Sequence, residues 1–286
     1  MNQKRVAAIH DISCFGKCSL TVALPIISAA GVECSVIPTA VLSTHTGGFT
    51  GFTYRDLTED ITGIADHWET LPISFDAIYT GFLGSFEQIE LMMQIFDRFK
   101  KENTTILVDP VMADNGKLYA IFPDTFPEGM KKLCTKADIV VPNITEASLM
   151  LGIEYKEPPH TKEYIENILI KLTGLGPKKA VLTGVSFDNE TLGAATYDSE
   201  AKEFGYTFEN KIEGYYHGTG DVFGSALLGA LMNDFDLLPA AEVAVKFTVS
   251  SIKKTAEAKT DIRFGVNFEQ SFPEYLRLLG KVEVRR

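Results

Sequence analysis

His217-Gly218-Thr219-Gly220-Asp221-Val222-Phe223-Gly224-Ser225 is the stretch from which the rest of this chain is best read. Two glycines flank a threonine, an aspartate follows, and apolar residues then recur at Val222, Phe223, Ala226, Leu227, Ala230 and Leu231. That spacing predicts a helix opening at the glycines. A glycine-rich turn at a helix start aims backbone N–H groups outward at the positive end of the helix dipole, where an anion is favoured. Asp221 falls in the first turn. A carboxylate there can take a proton from a hydroxyl while the backbone holds the charge arriving on a phosphoryl group. The stretch points to phosphoryl transfer to an alcohol. The competing reading is an ordinary turn in which the aspartate only caps a helix.

Working outward, short apolar runs alternate with helical spacing. Strands are predicted at Val6–His10, Ser35–Thr39, Ala77–Thr80, Ile106–Val108, Ile139–Val141 and Lys179–Thr183, and a hairpin at Gly193–Tyr197 with Glu203–Phe208. Helices are predicted at Ser19–Ala30 (stopped by Gly31), Ser85–Lys101, Thr145–Leu151 (stopped by Gly152), Thr161–Leu172 and Ala240–Ala256. Strands of this length separated by helices read as βαβ units around a mainly parallel sheet, an α/β fold. No linker, repeat or low-complexity stretch interrupts the pattern, so a single domain over 1–286 is expected.

Composition narrows the function. With 27 Lys+Arg against 38 Asp+Glu the net charge is −11, which argues against nucleic-acid and anionic-membrane partners. A polyanionic substrate would need a divalent cation and local dipoles to offset the repulsion. The longest apolar stretches, such as Val22 to Ala30, fall far short of the roughly 20 residues of a membrane span. The apolar part of the N-terminus is too short for a signal peptide and reads as a first strand. Four cysteines, at 14, 18, 34 and 134, are too scattered for a disulfide scaffold, and a reducing, cytoplasmic setting is expected. Cys14 and Cys18 lack the partners of a metal site and are expected to be buried or pocket-lining. His67 and His160 read as surface residues, Trp68 as packing, and Arg285-Arg286 as too short for a nucleic-acid tail. No Gly-x-Gly-x-x-Gly follows the first strand, which counts against a dinucleotide-binding oxidoreductase.

In parallel sheets, ligands gather at the C-terminal strand ends. There the chain places His10, Asp11 and Ser13 after the first strand, then Asp109-Pro110-Val111-Met112 with Asp114, then Pro142-Asn143-Ile144-Thr145-Glu146, then Thr183-Gly184, then the Gly218–Asp221 turn. Asp109, Asp114 and Glu146 are hard oxygen donors suited to Mg²⁺, directly or through water, together with phosphate oxygens. Helix capping competes for Glu146. Asp109 is harder to dismiss, because a carboxylate directly after a buried strand costs on the order of several kcal/mol unless paired or ligated.

This ordered set resembles the ribokinase-like superfamily, a three-layer α/β/α sandwich. Within it, Ser43-Thr44-His45-Thr46-Gly47 and Thr80-Gly81-Phe82-Leu83-Gly84-Ser85 resemble segments of the vitamin B6 kinases. The resemblance runs from about residue 6 to about 256. It implies ATP-dependent phosphorylation of the 5′-hydroxymethyl group of pyridoxal, pyridoxamine or pyridoxine. Asp221 would be the base, and the N–H groups of Gly218, Thr219 and Gly220 the anion hole. Asp109, Asp114 and Glu146 would serve the metal and triphosphate. Asn143 and Thr183 would face the nucleotide phosphates. Thr46, with His45 beside it, would meet the ring substituents. Tyr119 would close over the ring on a lid spanning Asp114–Pro123. A homodimer, Mg²⁺ and possible use of a monovalent cation such as K⁺ are implied in the same way.

The chain departs from that pattern at Asp11, where the family commonly has a ring-contacting serine. An ionised carboxylate only accepts, so it is expected either to favour a protonated ring nitrogen or a cationic aminomethyl group, or to cap a turn through Ser13. Phe82 stands where tyrosine is common. His217 resembles the hydroxymethylpyrimidine kinases, which typically have cysteine where this chain has Asp221. A hydroxymethylpyrimidine (phosphate) kinase is therefore the alternative. A sugar or nucleoside kinase comes third. A non-catalytic vitamer carrier is disfavoured because it needs no base beside an anion hole.

Overall fold

The computed structural model describes residues 3–282, so the Arg285-Arg286 expectation lies outside the described residues. Nine strands form one sheet. They are β1 (Arg5–Ser13), β2 (Glu33–Leu42), β3 (Tyr54–Asp56), β4 (Ala77–Thr80), β5 (Thr105–Val108), β8 (Ile139–Val140), β9 (Lys179–Val185), β10 (Thr191–Asp198) and β11 (Glu203–Asn210); β6 (Ala113–Asp114) and β7 (Lys117–Leu118) form a separate small hairpin. Across the sheet the order is β11-β10-β9-β8-β5-β4-β1-β2-β3. The strands from β9 to β2 run parallel, while β3 and β10 are antiparallel to their neighbours. The chain winds one way from β1 to β2 and the other way from β4 onward. The order therefore reverses beside β1, and a crevice opens there at the C-terminal strand ends.

Helices cover both faces, which gives the expected three layers. Helices α2 (Thr58–Glu69), α3 (Phe86–Phe99), α4 (Phe126–Cys134), α5 (Ile144–Leu151) and α6 (Lys162–Thr173) pack one core with Ile9, Ile78 and Val108. Helices α1 (Leu20–Ala29), α7 (Thr219–Leu231), α8 (Leu237–Ala258) and α9 (Phe272–Leu278) pack the other with Val6, Tyr79 and Leu107. Alternate residues of one strand feed opposite cores, as the two-residue period of a strand requires.

The predicted β10–β11 hairpin forms and extends at both ends, pairing Tyr197 with Phe204. Gly152 ends α5 in the left-handed region, at φ 63°. Strand β1 runs three residues further than predicted, so Asp11 and Ser13 lie within it rather than after it. The register slips between His10 and Ile12, so Asp11 sits on the irregularity, a device that re-aims side chains near functional sites. His160 is buried rather than on the surface, with its ring nitrogens against the carbonyls of Ser186 and Lys156. All four cysteines are free; Cys18 lines the cleft, but Cys14 is exposed, contrary to expectation. No helix among the described residues is long and apolar enough to cross a membrane.

Candidate active site

The C-terminal strand ends open into one cleft of about 870 Å³, and each predicted site residue lines it. Asp11, His45, Thr46 and Phe82 form one end. Asp109, Asp114, Tyr119, Asn143, Glu146 and Thr183 form the other. The Gly218–Asp221 turn lies between.

Helix α7 starts at Thr219, after Gly218 at φ 76°. A side chain at 218 would collide with the Lys17 carbonyl oxygen, so this position needs glycine for its space as well as its backbone angle. The first hydrogen bond of the helix runs from the Val222 N–H to the Gly218 carbonyl, and no side chain caps the end. The N–H groups of Thr219, Gly220 and Asp221 are thus left without a helical acceptor. Nothing stands within 4 Å of a Cβ built on Gly220, so the turn is open on that side. The Asp221 carboxylate accepts a 2.9 Å bond from the Ser19 N–H. Burial pushes its pKa up to about 7, the Ser19 bond opposes this, and the negative charge of Asp11 adds to it.

At the strand end before α5, Asn143 and Glu146 form a capping box. The Asn143 side chain accepts from the Glu146 N–H, and Glu146 accepts from the Asn143 N–H, each at 2.9 Å. The other Glu146 oxygen accepts from the Met112 N–H at 3.1 Å, and the Asn143 amide donates to the Ala113 carbonyl at 2.9 Å. Burial raises the Glu146 pKa to about 8 in spite of those bonds. Asp114 is also engaged, accepting from the Tyr215 hydroxyl and the Asn115 N–H, both at 2.8 Å.

Asp109 differs from both. It is buried, and no hydrogen-bond donor among the described residues meets its carboxylate. Burial, then the charges of Glu146 and Asp221, drive its pKa well up. A buried carboxylate facing two others fits a divalent cation. The three predicted metal residues, however, do not form one cage: among the described residues no three His, Cys, Asp or Glu side chains stand close enough for that. The capping bonds of Glu146 and the Tyr215 bond of Asp114 explain why. Of the three, Asp109 alone carries no hydrogen bond from a donor among the described residues.

At the opposite end, Asp11 is 5 % exposed and accepts from the Ser13 hydroxyl at 3.2 Å. The turn contact through Ser13 therefore exists, and the carboxylate still lines the cleft. Burial raises its pKa. His45 has both ring nitrogens on backbone, one accepting from the Gly47 N–H at 3.1 Å and one 2.6 Å from the Arg263 carbonyl. It offers a ligand its ring rather than a hydrogen bond. The predicted lid contains the β6–β7 hairpin, followed by Tyr119, which is 37 % exposed.

Sequence reasoning missed several residues. Ser19 acts through its backbone, which no side-chain pattern reveals. Tyr215 meets Asp114 from 101 residues away. Val245, Val249 and Ile252 of α8 line the cleft with Leu192 and Ile212. Their spacing of four and three was a readable signal of one helix face. Lys211 is the only Lys or Arg along the cleft among the described residues.

Comparison with known proteins adds the following. Residues 24–264 match the family model described as phosphomethylpyrimidine kinase. A Bacteroides thetaiotaomicron protein assigned as a phosphomethylpyrimidine kinase, crystallised with pyridoxal, is 34 % identical with a TM-score of 0.92, over 100 % of this chain and 98 % of that one. Pyridoxal kinase from Lactobacillus plantarum is 30 % identical with a TM-score of 0.88, over 97 % and 98 %. Pyridoxal kinase of Dictyostelium discoideum is 26 % identical over 91 % of this chain and 89 % of its own.

Proposed function

The chain belongs to the phosphomethylpyrimidine kinase family, within the ribokinase-like fold, and from that premise we propose that it transfers the γ-phosphoryl of ATP to the 5′-hydroxymethyl group of a B6 vitamer. The observation that carries this reading is the pairing of Asp221, fixed by the Ser19 N–H, with the uncapped start of α7. The kinship with pyridoxal kinases supports the choice of vitamer.

The vitamer ring lies at the Asp11–His45–Phe82 end, with its hydroxymethyl group toward Asp221. Asp221 accepts the hydroxyl proton as the new O–P bond forms and the bond from the γ-phosphorus to the bridging oxygen of the β-phosphate breaks, with ADP as the leaving group. The N–H groups at the start of α7 hold the transferring phosphoryl and cost no reorganisation at that moment. Phosphoryl transfer is mostly positioning and charge stabilisation, so a carboxylate of modest basicity suffices. The base lies along the apolar wall of Val249, Ile252 and Leu192, and the triphosphate runs past Thr183 toward Asp109. Asp109 would hold a divalent cation such as Mg²⁺, whose charge would offset that of the triphosphate in a cleft where Lys211 is the only Lys or Arg side chain among the described residues. Tyr119 and the β6–β7 hairpin close over the site and exclude water. The chain works as one kinase domain, in the cytoplasm and as a homodimer.

Hydroxymethylpyrimidine is the second reading, favoured by the family match and by His217, whose ring lies 5.1 Å from that of His45. ADP release with MgATP against pyridoxal, pyridoxamine, pyridoxine and hydroxymethylpyrimidine tests both readings. Turnover with the vitamers is expected. Turnover with the pyrimidine alone would replace the first reading with the second, and no turnover by folded protein would sink both.

A further inference from the structure

Behind the Asp109 carboxylate lies a group of buried polar atoms that the proposed reaction does not use. Tyr79 and Ser225 are both fully buried, and neither hydroxyl has a hydrogen-bond partner among the described residues. His10 packs edge-on against the Tyr79 ring at 4.4 Å, and both its nitrogens are likewise unpartnered. A buried polar atom without a partner costs about 1–3 kcal/mol, and native proteins rarely leave several side by side.

The geometry shows where the hydroxyls lead. A Cβ built on Gly224 would stand 2.5 Å from the Tyr79 hydroxyl and 3.6 Å from Oδ2 of Asp109. The phenol thus stands directly against Gly224, with the Asp109 carboxylate beside it. Ser225 is the next residue of α7, and its buried hydroxyl neighbours the phenol. An internal water needs two to four polar partners and commonly makes about three bonds. Tyr79, Ser225 and Asp109 supply that number.

We infer that a water molecule links the Tyr79 and Ser225 hydroxyls to Oδ2 of Asp109, which makes Tyr79 a positioning residue for that carboxylate. The phenol donates to the water, the water donates to Oδ2, and the Ser225 hydroxyl completes the shell. Asp109 is then held from behind, with its other oxygen left for the cleft. The glycine at 224 follows from the close approach of the phenol, since any side chain there would strike the Tyr79 hydroxyl.

The positioning role rests on the reading of Asp109 as the metal-side carboxylate, whereas the water does not. A crystal structure of the wild-type protein at a resolution that shows ordered water, together with Tyr79→Phe, separates the two. Expected is density within hydrogen-bond distance of Tyr79 and Asp109 that is lost in the variant. Empty density, or a direct Tyr79–Asp109 bond, overturns the water. Binding of ADP titrated with Mg²⁺ tests the role: Tyr79→Phe should raise the Mg²⁺ needed for half-saturation about tenfold, as loss of a group that orients a metal ligand does elsewhere, with vitamer binding unchanged. An unchanged Mg²⁺ dependence overturns the role even if the water is seen. Ser225→Ala, a change the helix tolerates, should shift the same titration in the same direction and serves if Tyr79→Phe does not fold. A protein that binds the water but phosphorylates no vitamer would count against the kinase reading alone.

Discussion

Two helices begin at the cleft, and both carry a carboxylate at their third residue, Glu146 in α5 and Asp221 in α7. They use it in opposite ways. In α5 the preceding residue is Asn143, whose side chain closes a reciprocal box with Glu146, so that end of the helix is satisfied from within. In α7 the preceding residue is Gly218, which has no side chain to cap with. Asp221 turns instead to the Ser19 N–H, on a segment 202 residues away. One helix start is closed and serves stability. The other is left open, and its free N–H groups are what a transferred phosphoryl can use.

Substitutions at the two ends should therefore separate activity from stability. The largest effect is expected at Asp221. Asp221→Asn should lower vitamer-dependent ADP release by about 10²–10⁴-fold, the range for loss of a general base. The same change should stabilise the protein at pH 8 without divalent cation. The native-state pKa of Asp221 is raised to about 7, above its ordinary value, so the folded state binds the proton more tightly than the unfolded one. The ionised form is the disfavoured one, and the penalty grows as pH climbs from the ordinary carboxylate range to about 7. Calorimetric melting should show a gain in Tm of ~2 °C or more for Asp221→Asn at pH 8, shrinking toward pH 5. Equal Tm shifts at both pH values would mean that Asp221 is not held in the protonated-favouring environment described.

Gly218→Ala comes next. It keeps every acidic group but meets the Lys17 carbonyl in a left-handed backbone. Activity should fall about 10²-fold, comparable to loss of an oxyanion-hole donor, with a stability loss of about 1–3 kcal/mol. Near-wild-type turnover in steady-state assays would show that the geometry of this turn is not what holds the phosphoryl group. Asn143→Ala should do the reverse. Loss of the cap should cost about 1 kcal/mol, seen as a Tm drop of roughly 2–4 °C, while kcat changes less than it does for Gly218→Ala. If Asn143→Ala proved the more damaging to kcat, the contrast between the closed and the open helix start would fail.

Much of this was readable from residues alone, where local chemistry dictates structure. The strands before Asp109 and Asn143 are short, apolar and two-sided, and each feeds its polar residues into the cleft as the parallel sheet demands, whereas Thr183 lies inside β9, which runs on to Val185. Other elements hide their signal. Helix α2 buries only Ile61 and Ala65 and has Gly63 between them. Helix α4 carries Pro127 at its start and Gly129 in the middle, where a side chain would strike the Phe86 ring. At Gly129 the reason is a close approach no local window contains, while the space around Gly63 is open and α2 shows little apolar signal because it buries so little. The site shows the same division. The residue types were legible, but the division of labour among the three carboxylates was not. That Glu146 and Asp114 are occupied while Asp109 is free depends on partners such as Met112 and Tyr215, brought near only by the fold.

The Ser19–Asp221 bond and the close approach of Gly218 to Lys17 join the first loop of the chain to its last long helices. A contact of such sequence separation carries a large loop-closure entropy and tends to form late. A molecule with β1 and its loop in place and α7 not yet docked would have the Asp11 and Asp109 walls but neither Asp221 nor the Gly218 turn in position. Recovery of turnover on refolding should trail the return of helical signal, so that the chain gains its chemistry only when its two distant segments have met.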